Sequence, residues 1–497
     1  MTRGFAAFAN GAYLEVAAIP EGDAAEFAGR VLEAAAQGAR LVALFPLQRP
    51  GGRTLVALVA LDGSGRLAAT AGRLGAASAY PSLTPRWPQA QAFERDLWER
   101  HGITPEGHPW LKPLRFPALP AGRAIPEGYS YFRADGEEVH EVAVGPVHAG
   151  VIEPGHFRFQ CHGEEVLHLE IQLGYQHRAA EHFLREAPPA RRLVVAESLA
   201  GDSVVAHATA HVLAEEALGG VPVPPRAQAL RAVALELERL ANHAGDLGAL
   251  AGDVGYLPGA SFLGRLRGEF LNLTLSLCGN RTGRGLLTVG GVRFDADGAW
   301  IESALARLAV LQRDLADSAE LLFGSASVQD RFEGTGVLRR EMAEALGLVG
   351  PAARASGCRR DVRHDHPAGY FRFAQVTPQV LATGDVYARA KVRWLEMQQS
   401  LRFLQEHLPA LPPGEVRAET QGPRRPDTLA AGLVEGWRGE AAHVVVSDTA
   451  GKTAEYRVTD PSLHNWPGLA MAMRGGAISD FPLCNKSFNL SYAGHDL

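Results

Sequence analysis

Residues 225–250, PRAQALRAVALELERLANHAGDLGAL, constrain the fold most, because they repeat apolar side chains at helical spacing. The stretch begins at Pro225, and proline is favoured in the first turn of a helix. Large apolar residues then form one continuous stripe: Leu230, Val233, Leu237, Leu240, Leu247 and Leu250. We therefore predict a long helix packed into a helical core, with further helices at 262–278, 299–322 and 385–407.

The N-terminal part has a different pattern. AAEFAGRVLEAAAQ predicts a helix, whereas LVALFPLQ and TLVALVALD predict two strands joined by the turn RPGGR. A proline-bearing segment, RFPALPAGRAIPEG, follows and marks a boundary between domains. We predict an α/β domain at 1–118, a linker at 119–130 and an α-rich domain at 131–497.

The second domain opens and closes with strand patterns. EVHEVAVGPV and HFRFQCHGEEVLHLEIQLGY predict a small sheet near its start. Near its end, AAHVVVSDTAGKTAEYRV predicts a hairpin around Thr449, Ala450 and Gly451. The predicted fold class is α+β and multidomain: an N-terminal α/β domain, then an α-rich domain with a small β-sheet.

Composition excludes several classes of function. A chain of 497 residues with 46% apolar and 21% charged residues suits a globular protein with more than one core. Its net charge of -6 argues against nucleic acid as a partner, because phosphate binding needs a basic face. No window has the roughly 20 apolar residues of a membrane span, and the N-terminus does not resemble a signal peptide. We expect a cytoplasmic protein that can dock on a membrane complex.

The four cysteines are isolated: Cys161, Cys278, Cys358 and Cys484. None lies within four residues of another, so the chain has no CxxC metal clamp. We expect them to be buried small side chains rather than metal ligands or disulfides.

Ordered motifs identify the family that the chain resembles. ERDLWERHGITPEGHPWLKPLRFP resembles the signature of the small hydrophilic subunit of complex I. GPVHAGVIEPGHFRFQCHGEEV and LEIQLGYQHRAAE resemble the opening of the large subunit of the complex I and membrane-bound (energy-converting, group 4) nickel-iron hydrogenase superfamily. Further matches follow in family order: GNRTGRG, VGGVRFD, DRFEGTGVL, GLVGPAARASGCRRDVR and GDVYARAKVRWLEMQQS. Any one motif is weak, but the ordered set is specific.

The resemblance implies roles for two histidines. His148 and His156 match the histidines of a loop that, in complex I, reaches into the quinone cavity. Imidazoles can exchange protons near neutral pH, so both are candidate proton donors in a cavity. A structural role is the alternative for a lone histidine.

The motif LELERLANH places Glu236, Arg239 and His243 on one face of the long helix. A solvated surface pair is one interpretation, of little energetic value. The resemblance instead implies that this face points into the protein, beside the cavity that holds the active site in the hydrogenases. Several further charged residues in apolar segments also suggest buried ion networks, which suit a proton path, a subunit interface or a structural role equally well.

The chain departs from the hydrogenases at their nickel ligands. ESLAGDSVVAHATAH has Ala200 and Ser203 at the positions of the first cysteine pair and keeps His207. DFPLCNKSFNLSYAGHDL has Ser491 and Gly494 at the second pair. Alanine and glycine offer no side-chain ligand and serine is a poor one for a soft metal. We expect no metal on this chain, and an active nickel-iron hydrogenase is the least favoured function.

The resemblance to complex I is incomplete as well. Complex I pairs its histidine with a tyrosine on the loop that once held the first cysteines, and residues 199–203 contain no tyrosine. Quinone reduction in the manner of complex I is therefore in doubt. A different polar pocket is a hypothesis, formed by Asp202, Ser203, His207, Ser491, Tyr492 and His495.

Two functions follow from the resemblance. The first is a peripheral-arm subunit of a membrane-bound, complex I-like oxidoreductase that couples electron transfer to ion translocation, with quinone as the candidate electron acceptor. The second is a catalytically silent scaffold in a transporter-like complex. In either case the resemblance implies an iron-sulfur small subunit that carries the cluster, and membrane-embedded proton-pumping and quinone-channel-like subunits. This chain would lie on the cytoplasmic side of the inner membrane. By resemblance it would form the electron-acceptor cavity and hold no cofactor of its own. We expect no NAD site on this chain, since it has no glycine-rich dinucleotide fingerprint.

Overall fold

The computed structural model describes residues 4–49, 52–76, 78–116, 129–150, 152–418 and 422–497. The strands in these residues are β1 (Ala6–Phe8), β2 (Tyr13–Glu15), β3 (Glu21–Asp23), β4 (Arg40–Arg49), β5 (Gly52–Leu61), β6 (Arg66–Arg73), β7 (Ala79–Pro81), β8 (Thr104–Glu106), β9 (Val139–Val144), β10 (His156–His162), β11 (Glu165–Gln172), β12 (Leu287–Thr288), β13 (Gly291–Val292), β14 (Thr428–Gly436), β15 (Gly439–Ser447) and β16 (Thr453–Thr459). The helices are α1 (Ala24–Ala36), α2 (Gln91–His101), α3 (Ala180–Glu186), α4 (Pro189–Ala196), α5 (Val204–Gly219), α6 (Pro225–Asp253), α7 (Leu257–Cys278), α8 (Gly298–Gly324), α9 (Ala326–Phe332), α10 (Arg340–Ala345), α11 (Gly350–Ala355), α12 (Val362–Asp365), α13 (Val386–His407), α14 (Pro461–Ala472), α15 (Phe481–Phe488) and α16 (Tyr492–His495). The predicted α+β class, with an α-rich second part, is confirmed.

The N-terminal part is an α/β unit, as predicted. Its sheet has the order β1-β6-β5-β4, and β3 lies beside β6. The β4–β5 hairpin closes at the pair Arg49 and Gly52, where the turn was expected. Helix α1 begins at a capping box in which Asp23 and Glu26 each accept a backbone N–H of the other residue. The predicted linker at 119–130 falls mostly outside the described residues, and the domain bounds stay a prediction.

A second sheet joins the two ends of the chain. Its order is β16-β15-β14-β2, so three C-terminal strands receive a fourth from the N-terminus. Leu14 pairs with Leu429 in this sheet. One core includes Val56 and Leu58 from the N-terminal sheet and Leu433 from β14. The β15–β16 hairpin was predicted, whereas β2 and β14 were not.

The helical core is built on α6, which extends over residues 225–253. The stripe of leucines is buried, as expected, and α6 packs mainly on α7 and α13. The neighbouring face, which carries Glu236, Arg239 and His243, is buried too, because α13 and the β14–β15 hairpin contact it. The polar side chains of that face therefore need partners inside the protein.

A third sheet, β11-β10-β9, carries the segment with the two predicted histidines. His156 begins β10 and lies opposite Gln172 of β11. The apolar side chains of β10, including Phe157 and Phe159, pack on α14 and α15 near the C-terminus. This packing brings the histidine segment to the same region as residues 491–496.

Candidate functional site

The loop before β10 docks on the C-terminal segment. Oε2 of Glu153 accepts the backbone N–H of Tyr492 at 3.1 Å and that of Ala493 at 3.4 Å. A side chain at Gly155 would meet the ring of Tyr492 at 2.4 Å, so only glycine allows this close approach. The loop with His148 and His156 is thus held beside the second former cysteine segment.

The two histidines have different environments. His148 is half-buried, and its Nε2 lies 2.9 Å from the carbonyl oxygen of Gly155. His156 is buried, and its Nδ1 lies 3.3 Å from the carbonyl oxygen of Gly145. Nε2 of His156 is buried and has no hydrogen-bond partner among the described residues. Burial lowers the pKa of His156, which keeps the imidazole neutral at rest.

The first former cysteine segment ends at the start of α5. Ala200 is buried, and Ser203 is the residue before the first turn of α5. The hydroxyl of Ser203 accepts an N–H of Arg438 at 3.2 Å. Nε of Arg438 also donates to the carbonyl oxygen of Asn489 at 2.6 Å. One guanidinium therefore joins the two segments that hold cysteine pairs in the hydrogenases.

Arg438 is held at the tip of the β14–β15 hairpin. Its Nη1 and Nη2 form a bidentate ion pair with Asp202, with Nη2 2.9 Å from Oδ2. Trp437 beside it donates from Nε1 to the carbonyl oxygen of Asp202 at 2.8 Å. Burial lowers the pKa of Arg438, but the carboxylate of Asp202 outweighs this and raises it above the ordinary value. Arg438 is therefore a cation held in a fixed position. We use the term polar pocket for the site formed by Asp202, Ser203, Arg438, Asp460 and Asn489.

Asp460 closes the pocket on the side of Gly494. A Cβ atom at Gly494 would lie 2.5 Å from Cγ and from Oδ2 of Asp460. Asp460 cannot easily move, because it is buried, its Oδ1 accepts the N–H of Ser462 at 2.7 Å and its Oδ2 lies 3.0 Å from Nε2 of His207. Ser491 uses its hydroxyl to accept the N–H of Gly494 at 2.9 Å. The space that a cysteine would need at 494 is occupied by a carboxylate.

The pocket does not fit a nickel-iron centre. The two serine hydroxyls are engaged with Arg438 and with a backbone N–H, and Ala200 and Gly494 have no donor atoms. Within the described ranges, no group of three or more His, Cys, Asp or Glu side chains could hold a metal ion. All four cysteines are free and buried, which confirms the prediction for them. A soft metal that prefers thiolates has no ligand set here.

Arg239 supports the hairpin tip from α6. It is fully buried and donates to the carbonyl oxygens of Glu435 at 2.7 Å and Gly436 at 3.1 Å. Its Nε also lies 3.3 Å from Glu236, and His243 forms a 2.9 Å hydrogen bond with Glu396. The interpretation of Glu236 and Arg239 as a solvated surface pair is therefore wrong. We call Glu236, Arg239 and His243 the α6 cluster; it contacts the β14–β15 hairpin at residues 435–437, next to Arg438.

The α6 cluster belongs to a larger buried ion network. Arg354 contacts Glu396 at 2.7 Å and Glu435 at 2.7 Å, and Arg363 contacts Glu236 at 2.9 Å and Asp361 at 2.7 Å. The expected buried network is thus confirmed. Its acids are Glu236, Asp361, Glu396 and Glu435, and its arginines are Arg239, Arg354 and Arg363. Because these four carboxyl groups share three arginines, one carboxyl group has no arginine of its own.

Glu435 is the acid of this network that holds a proton most readily. Burial raises its pKa to about 7, against the opposing effect of Arg354. Glu435 also lines a cavity of about 440 Å³ between β2, α5, α6 and the segment 362–372. The walls of the cavity are largely apolar, with Leu213, Leu235 and Phe371 among them. The network can therefore exchange a proton at a carboxyl that borders a cavity.

A second proton-holding acid lies under the polar pocket. Glu238 accepts the N–H groups of Val205 at 2.7 Å and Ala206 at 3.2 Å, at the start of α5. Burial raises its pKa to about 8, and the charge of Asp202 adds to this shift. Because its ordinary value is 4.5, the folded protein binds more protons than the unfolded chain between those pH values.

We expect Glu238 to make the protein less stable as pH rises. The contribution of the Glu238 proton to the free energy of unfolding is complete below pH 4.5 and is lost as pH rises through about 8. Glu238→Gln should therefore remove on the order of 3 kcal/mol of the decline in unfolding free energy between pH 5 and pH 9. Urea unfolding across this range measures the effect, with exposed Glu302→Gln as the control. Parallel pH profiles of wild type and Glu238→Gln would contradict the assignment.

The structure brings together some residues of the predicted polar pocket and separates others. Asp202 and Ser203 contact Arg438, and His207 contacts Asp460. Tyr492 instead packs its ring against Trp466. His495 bonds through Nδ1 to Asp496 at 2.8 Å, outside the pocket.

Sequence reasoning missed Arg438 and Asp460. Arg438 lies in the short sequence GWRGE, where two glycines flank Trp437 and Arg438. This pattern is typical of a tight hairpin end and was the available signal. Asp460 precedes Pro461 and caps α14, a local role that does not indicate a pocket.

Comparison with known proteins shows the family. Residues 253–428 match the family model for the respiratory-chain NADH dehydrogenase 49 kDa subunit, and residues 54–123 match that for the 30 kDa subunit. Formate hydrogenlyase subunit 5 of Escherichia coli (strain K12) is 31% identical over 441 residues, which cover 84% of this chain and 77% of that protein. The chain belongs to the complex I and group 4 hydrogenase large-subunit family, fused to a 30 kDa-type domain.

A second relative agrees with this assignment, and a solved structure shares the fold. A subunit of the NADH-quinone oxidoreductase of Gluconacetobacter diazotrophicus is 26% identical over 458 residues, covering 80% of this chain and 76% of that protein. A chain in the structure of the membrane-bound sulfane sulfur reductase, an archaeal respiratory membrane complex, has the same fold. It superimposes with a TM-score of 0.68 at 24% identity, over 73% of this chain and all of that one.

No helix in the described part of the chain combines the length and apolar character needed to cross a membrane.

Proposed function

We propose that this chain is the large peripheral subunit of a membrane-bound, complex I-like oxidoreductase whose nickel-iron site has been lost. The family assignment and the filled space at Gly494 support the proposal. The partners would be an iron-sulfur small subunit and membrane-embedded ion-translocating subunits, with this chain on the cytoplasmic side. Electrons would arrive from the partner's cluster, and the acceptor would be a quinone.

His156 carries the proposal for acceptor reduction. Its Nδ1–H is committed to the carbonyl of Gly145, while its buried Nε2 has no partner among the described residues. Nε2 can therefore take up a proton and donate it to an acceptor oxygen bound beside the loop. The lowered pKa makes the imidazolium a better acid than an exposed one, so it would release the proton readily. His148 would position the loop through Gly155.

The test is acceptor reduction by the purified whole complex with His156→Ala. We expect quinone reduction to fall by about 100-fold, because general acid catalysis contributes at least that factor. His162→Ala is the matched control, since the side chain of His162 is more than half exposed at the other end of β10 and pairs with the exposed Glu138. Unchanged turnover in His156→Ala would contradict the role. Polysulfide should be assayed beside quinone, because the protein of similar fold is a sulfane sulfur reductase.

A silent scaffold is the second candidate, and one observation favours it. Every nitrogen of the Arg438 guanidinium is engaged by Asp202, Ser203 or Asn489, so the polar pocket is filled by its own hydrogen bonds. The scaffold predicts that the wild-type complex reduces neither acceptor while ion translocation persists. Stoichiometric nickel in the purified complex would contradict both candidates.

A further inference from the structure

A continuous chain of buried hydrogen bonds leads away from the polar pocket. Nε2 of His207 lies 3.0 Å from Oδ2 of Asp460, and Nδ1 of His207 lies 3.1 Å from Nε2 of His443. Nδ1 of His443 lies 2.8 Å from the hydroxyl of Tyr456, which lies 2.6 Å from Nδ1 of His211. All five side chains are at most 1% exposed. We call them the histidine chain.

We propose that the histidine chain is a proton wire that supplies the polar pocket through Asp460. The proposal rests on the proposed function, in which an acceptor bound beside the His156 loop takes up protons; that loop contacts Tyr492 and Ala493, next to Gly494 and Asp460. The histidine chain is built from α5, β15, β16 and the residue before α14, so it joins residues 207–211 to residues 443–460.

The donors in the wire all point toward Asp460. Burial raises the pKa of Asp460, but the hydrogen bonds from His207 and Ser462 and the charge of Arg438 outweigh this and lower it, so Asp460 is an ionised acceptor. Nε2–H of His207 then donates to it, and with one proton on each imidazole of the wire Nδ1 of His207 accepts from Nε2–H of His443. His443 in turn accepts the Tyr456 hydroxyl proton at Nδ1, and Tyr456 accepts Nδ1–H of His211.

This polarity defines one balanced relay. A proton that binds Nε2 of His211 allows Nδ1–H of His211 to pass to the Tyr456 oxygen. The Tyr456 proton passes to Nδ1 of His443, Nε2–H of His443 to Nδ1 of His207, and Nε2–H of His207 to Asp460. One proton enters and one carboxylate is protonated, with no change in electron count.

The middle of the wire does not retain charge. Burial lowers the pKa of His443 well below its ordinary value and raises that of Tyr456 well above its ordinary value. Neither an imidazolium at His443 nor a phenolate at Tyr456 is therefore stable at neutral pH. The proton must pass through in a concerted step rather than rest in the middle.

The two ends have the surroundings that a wire needs. The outer end, His211, lies one helical turn before Glu215, which contacts Arg192 at 3.5 Å and Arg424 at 3.3 Å. The side chain of Arg424 is 17% exposed, so this ion cluster near the buried His211 reaches the surface. The inner end, Asp460, faces Gly494 and the charge of Arg438. The wire thus joins a charged rim to the polar pocket.

A purely structural cluster is the alternative. Isolated buried polar pairs can satisfy each other, and an apolar core would be less costly to build. Here five side chains are hydrogen-bonded in series, and all their donors point toward Asp460. One end lies near a charged cluster and the other at the polar pocket, which packing alone does not require.

Tyr456→Phe tests the wire, because it removes one hydroxyl and preserves the ring. Exchange of the His207 Nε2 proton with deuterated solvent, followed by NMR of the full chain with nitrogen-labelled histidine, needs no turnover. We expect exchange to slow by about tenfold or more, since relay through positioned groups provides such factors. In the purified complex, acceptor reduction should slow with a larger solvent isotope effect.

Tyr370→Phe is the matched control, because the Tyr370 hydroxyl also bonds a histidine, Nδ1 of His407 at 3.2 Å, outside the wire. It should change neither measurement. His211→Gln blocks the outer end while the hydroxyl of Tyr456 stays in place, and it should slow exchange equally, which keeps the test valid if Tyr456→Phe misfolds. Unchanged exchange at His207 in either wire variant would overturn the proposal. If the wild-type complex reduces no acceptor, the proposed function fails, while the exchange measurement still decides the wire.

Discussion

Replacing Arg354 by methionine is expected to lower the free energy of unfolding by about 4 kcal/mol. Arg354 is fully buried and contacts Glu396 and Glu435, and it donates to the carbonyl oxygen of Arg360 at 2.7 Å. Methionine keeps much of the volume but leaves the carboxylates without their cation. Because a buried unpaired charge cannot be solvated, it costs far more than the lost contact itself.

Arg340→Met is the matched control for this change. Arg340 pairs with Glu344 one helical turn away, and its side chain is 61% exposed. Its removal should leave the urea unfolding midpoint unchanged, because exposed pairs contribute little. Equal midpoints for Arg354→Met and wild type would show that the network is hydrated or protonated rather than a set of buried ion pairs.

Replacing Gly494 by cysteine is expected to destabilise the protein by about 3 kcal/mol and to restore no nickel binding. The new Cβ would lie 2.5 Å from Cγ of Asp460, and Asp460 is held by Ser462 and His207. Either the carboxylate moves and breaks these bonds, or the C-terminal helix α16 shifts. Urea unfolding gives the first quantity, and elemental analysis after expression with nickel gives the second.

Gly201→Cys is the control on the other former cysteine segment. A Cβ at Gly201 meets no atom within 4 Å, and its backbone is not in the left-handed region. This variant should retain wild-type stability. If Gly494→Cys were as stable as Gly201→Cys, Asp460 would have to be mobile, and position 494 would have room for a side-chain metal ligand.

Local sequence patterns predicted the elements that depend on neighbouring residues. The periodicity of α6, the β4–β5 hairpin and the β15–β16 hairpin are all local signals, and each is confirmed. Strand β2 has only three residues and pairs with a strand far along the chain. No pattern within so short a segment can indicate its partner.

The candidate site was predictable to a smaller extent. Motif order predicted His148 and His156 and the four positions aligned with hydrogenase cysteines, and these stay predictions; it also predicted that the face of α6 with Arg239 turns inward, and that face is buried. Arg438 was not identified, because its importance comes from Asp202 and Asn489, which approach it only in the folded chain. The histidine chain was hidden for the same reason, since His211, His443 and Tyr456 each look like ordinary core residues in sequence.

The pairing of β2 with β14 sets an order for biosynthesis. Residue 14 leaves the ribosome early, but its partner at residue 429 emerges only after the intervening helices have been translated. Until then the nascent chain carries an unpaired strand edge and an uncovered half of a core, the features that favour misassembly. Closing so long a loop also slows the final step, so newly made chains would need protection by chaperones before they can join an assembly.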